Sequence, residues 1–171
     1  TQDLDVNLNY PFMFQSPLGI DGKLKIFKKD SSYLELNQRL GLQYLFTGGN
    51  YLMFFFDNYS SNLINSSRYA ASTVLPDFAD VKFRQYGLSV QKLKLDYRIN
   101  PRQGYEVNFT GSVGNKIITK NPDLNEALYD GLDLNSLQFK LQTRIGAYIP
   151  IAKRSTIYTR FYGGYILNDQ V

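Results

Sequence analysis

The feature that most constrains this sequence is a strict alternation of apolar and polar residues, which is clearest in residues 105–114. This segment reads Tyr-Glu-Val-Asn-Phe-Thr-Gly-Ser-Val-Gly, so apolar side chains stand at odd positions and polar ones at even positions. Successive side chains of a β-strand point to opposite faces of the sheet. The segment is therefore predicted to be a strand with one apolar face and one polar face, and Glu106 lies on the polar face.

The same period recurs along the chain. Five other segments alternate clearly, namely residues 2–10, 20–27, 33–46, 137–149 and 156–165. Residues 51–58 are apolar on both faces, so this strand cannot be oriented. Residues 81–98 alternate but shift register near Gln91 or Lys92, which indicates a β-bulge or an early strand end. We predict eight antiparallel strands in up-and-down order within one domain, residues 1–171.

The connections between these strands differ in length. Short turns are predicted near residues 11–18, 47–50, 99–104 and 150–155, and long loops at residues 58–80 and 115–135. A short loop at residues 28–32 is the exception to the alternation of short and long. Short periplasmic turns and long outer loops are typical of outer-membrane barrels. Aromatic residues also cluster near the short turns, as in a membrane-interface girdle: Tyr10, Phe12, Phe14, Tyr44, Phe46, Tyr51, Tyr97, Tyr105, Tyr148 and Tyr158.

Composition excludes several functions. The chain has no Cys and no His, which removes disulfides, the common zinc ligands and the usual general base. The net charge of +4 is small and scattered, so nucleic acid is not an expected partner. The longest wholly apolar run, residues 51–56, is far shorter than the ~20 residues of a membrane helix. We predict no cofactor, no metal and no enzymatic activity.

The charged residues of the alternating strands provide the candidate functional surface. On a membrane barrel they would line a water-filled lumen, because a charge facing lipid costs ~2–4 kcal/mol near the midplane. On a soluble barrel or sandwich the same face would be the solvated outer surface. The alternation alone does not distinguish a membrane barrel from a soluble barrel or sandwich. The candidates are Lys23, Lys25, Glu35, Arg39, Glu106, Lys140, Arg144 and Arg160.

One turn carries a more specific signal. Residues 95–104 read Leu-Asp-Tyr-Arg-Ile-Asn-Pro-Arg-Gln-Gly and contain the pattern Asp-x-x-x-x-Pro-x-x-Gly before a rising strand. This resembles a hairpin of the BamA/TamA family of outer-membrane protein-assembly barrels and their two-partner-secretion relatives. The resemblance implies a sixteen-stranded transmembrane barrel, of which these eight strands would be the middle part, strands four to eleven. It places Asn100, Pro101, Arg102 and Gly104 in a periplasmic turn.

The resemblance also implies a function. The protein would be a non-catalytic assembly or translocation factor of the bacterial outer membrane. Its partners would be the lipid bilayer and lipopolysaccharide, unfolded outer-membrane protein substrates, and periplasmic or lipoprotein accessory subunits. The family's Arg-Gly-Phe and a POTRA-like segment are not in these residues.

Three alternatives remain open. The first is a self-contained eight-stranded outer-membrane barrel with a structural or passive role. The second is a soluble lipid-binding barrel. The third, an outer-membrane enzyme, is disfavoured because the known kinds depend on His.

Overall fold

The computed structural model describes residues 1–29, 32–65 and 79–168. It contains one eight-stranded antiparallel sheet in which every strand pairs with the next along the chain. The prediction of an all-β, up-and-down arrangement is therefore confirmed. Within the described residues β1 and β8 each have one partner, so the sheet does not close on itself. The strands are β1 Gln2–Tyr10, β2 Leu18–Lys29, β3 Tyr33–Leu45, β4 Tyr51–Leu63, β5 Val81–Leu95, β6 Gly104–Ile118, β7 Asn135–Ala152 and β8 Ser155–Asn168.

The strands that lead into the predicted long loops, β4 and β6, are longer than the sequence indicated. β4 continues to Leu63, so the first part of the loop predicted at residues 58–80 is strand, and residues 66–78 lie outside the described residues. β6 continues to Ile118 and shortens the loop predicted at residues 115–135. The physical reason is that β3 offers backbone partners as far as Tyr33, opposite Leu63. Ladder hydrogen bonds are made by the backbone, whatever the polarity of the side chains.

The short turns also differ in extent. The prediction of a turn at residues 150–155 is too wide, because β7 runs to Ala152 and β8 begins at Ser155. The ladder is irregular between Pro150 and Ala152, where proline supplies no N–H. The turn between β5 and β6 lies at residues 96–103, and Gly104 is already the first residue of β6.

The prediction of a bulge near Gln91 or Lys92 is wrong, and so is an early strand end there. Pairing with β6 is continuous, with Gln91 opposite Asn108 and Lys92 opposite Val107. The apolar pattern changes because the turn after β3 covers this end of the sheet: the Leu93 backbone N–H donates to Asn50 Oδ1 (2.7 Å), and Gln91 Nε2 donates to the Gly49 carbonyl (3.0 Å). Leu93 thus packs beneath a turn although it lies on the polar face.

The sheet curls around its polar face. Side chains of non-adjacent strands, Arg39 of β3 and Lys140 of β7, line one cavity of about 340 Å³. The apolar face is convex and exposed, with Leu40 and Phe161 each 62% accessible. The register also orients β4, which the sequence left open: Phe55 and Asp57 lie on the concave face, and Phe54 faces outward.

One row of register partners crosses all eight strands on the convex face and consists of apolar residues and one glycine: Tyr10, Ile20, Leu42, Phe54, Leu88, Gly111, Leu141 and Tyr165. Not all the aromatic residues of the predicted girdle lie on this face. Tyr51, Tyr148 and Tyr158 lie on the concave face, and the rings of the last two stack at 4.5 Å. No helix in the described part of the chain is long and apolar enough to span a membrane.

Candidate functional site: the concave polar surface

The eight charged residues singled out from the sequence lie on one continuous surface, the concave face. The register relates them strand by strand: Lys23 is opposite Arg39, and Glu106 and Arg160 are both opposite Gly146. Lys25 and Glu35 lie on the same face, closer to the end of the sheet that carries the long loops, which we call the loop end. Lys23 Nζ is 4.0 Å from Asp5 Oδ2, and both side chains are more than 40% exposed. Such an exposed pair adds little stability.

The most buried charge on this surface is Asp57. Its carboxylate accepts two hydrogen bonds from Arg39, from Nε at 2.6 Å to Oδ1 and from Nη2 at 2.8 Å to Oδ2. The Arg39 guanidinium also lies 4.8 Å from the centre of the Phe55 ring. Asp57 is only 6% exposed, so its charge depends on this bidentate partner.

The ion pair extends into a chain of polar contacts. Gln85 Nε2 donates to Asp57 Oδ2 at 2.8 Å, and Ser112 Oγ donates to Gln85 Oε1 at 3.0 Å. Four neighbouring strands, β3 to β6, are therefore linked across the concave face. No buried side-chain polar atom among the described residues is without a partner.

Asp57 was not among the residues predicted from the sequence. Its strand is apolar on both faces in its first half, and the predicted end of that strand lay one residue further on. The signal that was present is a single acidic residue two positions after Phe55 and four after Met53. Period two places all three on one face, and the only charged side chain there needs a cation from a neighbouring strand.

A second cluster joins β6 to β8 across a glycine. Tyr158 hydroxyl donates to Glu106 Oε1 at 2.5 Å, and Arg160 Nε donates to the Tyr158 hydroxyl at 2.7 Å. Gly146 lies between the two strands, and a Cβ there would be 2.6 Å from Glu106 Oε1. The absence of a side chain at this position is what allows the carboxylate and the phenol to meet.

Two cations of the concave face have no such partner. Lys140 and Arg144, both of β7, line the cavity together with the amides and hydroxyls of Asn108, Thr110 and Gln142. Neither cation makes a hydrogen bond or ion pair with another residue of the described ranges. Water or a bound anion is left to solvate them, as expected for a surface that faces an aqueous space.

The turn between β5 and β6 shows why the Asp-x-x-x-x-Pro-x-x-Gly pattern has its residues. Asp96 Oδ1 accepts hydrogen bonds from the backbone N–H groups of Arg102 (2.9 Å) and Gln103 (3.1 Å). Asn100, before Pro101, has a left-handed backbone (φ 57°), which Asn tolerates better than most residues. Gly104 has φ 129°, and a Cβ there would lie 2.0 Å from the Lys94 carbonyl oxygen.

This turn also contacts the next one, which the sequence did not indicate. Arg102 Nη1 donates to the Lys153 carbonyl at 3.3 Å, and Thr156 Oγ1 donates to the Arg102 carbonyl at 3.3 Å. The two short turns after β5 and β7 are thus joined at one rim of the sheet.

The Asp96 contacts predict a pH dependence. The Gln103 N–H and then the Arg102 N–H hold the pKa of the Asp96 carboxyl below its ordinary value. A depressed pKa in the folded state gives stability that is present above the unfolded pKa, about 3.9, and is lost as pH falls through the folded value. We expect Asp96→Asn to have a lower urea midpoint than wild type at pH 6, and the two midpoints to converge below about pH 4. A difference that stays constant with pH would contradict this role.

The described residues contain no group of three or more acidic, His or Cys side chains that could hold a metal ion. Comparison with protein-family models, with curated proteins and with solved structures finds no match to this chain. The geometry therefore defines a curved sheet with a charged, hydrogen-bonded inner surface and an apolar outer surface.

Proposed function

We propose that this chain forms part of the transmembrane barrel of a bacterial outer-membrane protein-assembly or translocation factor similar to the BamA/TamA family. The observation that carries the proposal is the direction of curvature. A soluble barrel turns its apolar residues inward, whereas here Leu40 and Phe161 are on the outside and the part-buried Arg39–Asp57 pair is on the inside. An apolar exterior with a polar interior is the arrangement of membrane barrels.

The proposed role does not require a catalysed reaction. A lumen lined by Lys140, Arg144 and the neighbouring amides holds water and gives a polypeptide in transit a polar surface to slide along. The Arg39–Asp57–Gln85–Ser112 chain makes part of the wall rigid. The proposed partners are unfolded outer-membrane proteins, lipoproteins and periplasmic subunits. They are inferred from the resemblance of the Asp96–Gly104 turn to the turn of the BamA/TamA family.

The number of strands in the complete barrel is the second part of the proposal. β1 and β8 each leave one backbone edge without a partner among the described residues. Free edges of this length are normally paired or covered, because they are templates for further strands. Additional strands at both edges would complete the sixteen-stranded barrel. The competing candidate, a self-contained eight-stranded barrel, requires β1 to pair with β8.

A distance measurement separates these two candidates. The chain has no Cys, so spin labels attach only at introduced cysteines. We expect labels at Leu8→Cys of β1 and Phe161→Cys of β8 to be more than roughly 25 Å apart in the membrane, because seven interstrand spacings of about 4.8 Å separate them. A distance of about 15 Å or less would establish an eight-stranded barrel. Labels at Leu141→Cys and Phe161→Cys, on paired strands, provide the reference distance.

The same preparation tests the membrane assignment. Wild-type protein is expected in the outer-membrane fraction and resistant to carbonate extraction. Recovery as a detergent-free soluble monomer would reject both membrane candidates and leave the soluble lipid-binding barrel.

A further inference from the structure

A groove of about 560 Å³ lies on the convex face at the loop end of β5, β6 and β7. Two cations of β5, Lys82 and Arg84, form one side of it, and both are exposed. Because they are two residues apart in a strand, they project from the same face with their backbones about 7 Å apart.

The groove contains both polar and apolar side chains. Arg84 is opposite Asn115, whose amide also lines the groove. The groove wall also has an apolar part, formed by Tyr86, Val113, Ile117 and Leu137, and Ile117 is directly opposite Lys82. The groove is therefore amphipathic, with hydrogen-bond donors and positive charge next to a hydrocarbon surface.

The two cations have no acidic partner among the described residues. Asp80, the nearest acid along the chain, accepts instead from the Leu63 N–H (3.2 Å) and from Asn121 Nδ2 (2.7 Å). Asp57 lies on the opposite face of the sheet, paired with Arg39. Because no acidic side chain of the described residues pairs with these two exposed cations, an anion from outside the chain can bind them.

We propose that this groove binds a lipid that carries more than one phosphate, such as the phosphorylated glycolipid of the outer leaflet. The inference rests on the proposed function, which puts the convex face in lipid and the loop end of β5 at the outer surface. Arg84 binds one phosphate with its guanidinium fork and Lys82 a second as a point charge. The apolar wall holds the upper part of the acyl chains, which a free phosphate ion lacks.

The strand supplies its own control. Lys92 and Lys94 lie on the same face of β5 at the opposite end, and neither lines the groove. Lys82→Gln/Arg84→Gln and Lys92→Gln/Lys94→Gln therefore remove the same charge from the same strand, and only the first pair removes it from the proposed site.

The experiment uses the full-length protein in nanodiscs of phosphatidylcholine with equal small amounts of lipid A and phosphatidylglycerol. Mass spectrometry measures the lipids that stay bound after detergent washing. We expect wild type to retain lipid A preferentially. Retention should fall roughly 25-fold in Lys82→Gln/Arg84→Gln, because each cation near an anionic surface contributes a factor of about five. It should fall much less in Lys92→Gln/Lys94→Gln, because these lysines lie outside the groove and do not contact the retained lipid.

Three results would overturn the inference: equal lipid A retention in wild type and Lys82→Gln/Arg84→Gln, equal retention of phosphatidylglycerol and lipid A by wild type, or release of lipid A by millimolar inorganic phosphate. Carbonate extraction of each variant separates this outcome from the proposed function. Wild type that is inserted without lipid preference rejects the groove alone, whereas wild type that does not insert rejects the membrane proposal.

Discussion

Arginine in place of Leu141 is expected to destabilise the protein by about 2–4 kcal/mol when it is folded in a lipid bilayer. Leu141 lies on β7 in the apolar row that crosses all eight strands of the convex face, and it is 44% exposed. If that face contacts hydrocarbon, the guanidinium has no water to solvate it near the midplane. If it contacts water, an exposed leucine tolerates the change within about 0.5 kcal/mol. Urea titration of protein refolded into phospholipid vesicles measures the difference.

The control for this substitution is the next residue in the chain. Gln142→Arg adds the same side chain to the concave face, where Gln142 lines the cavity and its Nε2 donates to the Tyr162 hydroxyl at 3.1 Å. We expect a cost of about 1 kcal/mol or less, the worth of one hydrogen bond. Equal costs for the two variants, or a larger cost for Gln142→Arg, would mean that the convex face is not in lipid.

Removal of the cation beside Asp57 is the second change with a large expected effect. Arg39→Leu leaves a carboxylate that is 6% exposed, and among the described residues only the Gln85 amide remains as a side-chain donor. An uncompensated buried charge costs about 3–5 kcal/mol. Because the Arg39 side chain is itself 39% exposed, and water screens it, we expect about 3 kcal/mol in the free energy of unfolding.

Two further variants test whether the lost stability comes from the Arg39–Asp57 ion pair. Arg144→Leu removes a cation from the same cavity that has no ionic partner among the described residues, and it should change stability by less than about 0.5 kcal/mol. Arg39→Leu/Asp57→Leu removes both charges and should recover most of the loss, since a buried pair replaced by apolar residues is often neutral. A double variant as unstable as Arg39→Leu would show that the guanidinium contributes mainly through its packing on Phe55.

Much of the fold followed from the alternation in the sequence. Period two defines which residues of one strand share a face, and this put Lys23, Glu106 and Arg160 each on the polar face of its own strand before any pairing was known. Strand order was predictable because strands that are consecutive in the chain usually pair with one another. Strand ends were not, because the extent of β4 depends on how far β3 continues beside it.

The contacts between residues of different strands in the site could not be predicted from the sequence. Nothing local indicates that Arg39 meets Asp57, because the register between β3 and β4 is a property of two segments together. The apparent bulge in β5 had the same origin: Leu93 departs from the pattern because the Gly49–Asn50 turn, more than forty residues away, covers it. Such contacts are long-range in the chain, so the partner residue cannot be identified from the local pattern.

The sequence by itself determined that six of the eight strands have one polar and one apolar face, since the alternation of side chains is a local consequence of the extended backbone. It did not determine which face is inside, because inverting the curvature of the sheet leaves every strand's period unchanged. Only the tertiary structure decided this. The twist and coiling accumulated over eight paired strands, together with the Arg39–Asp57–Gln85–Ser112 contacts, turn the charged face inward and leave the apolar face exposed.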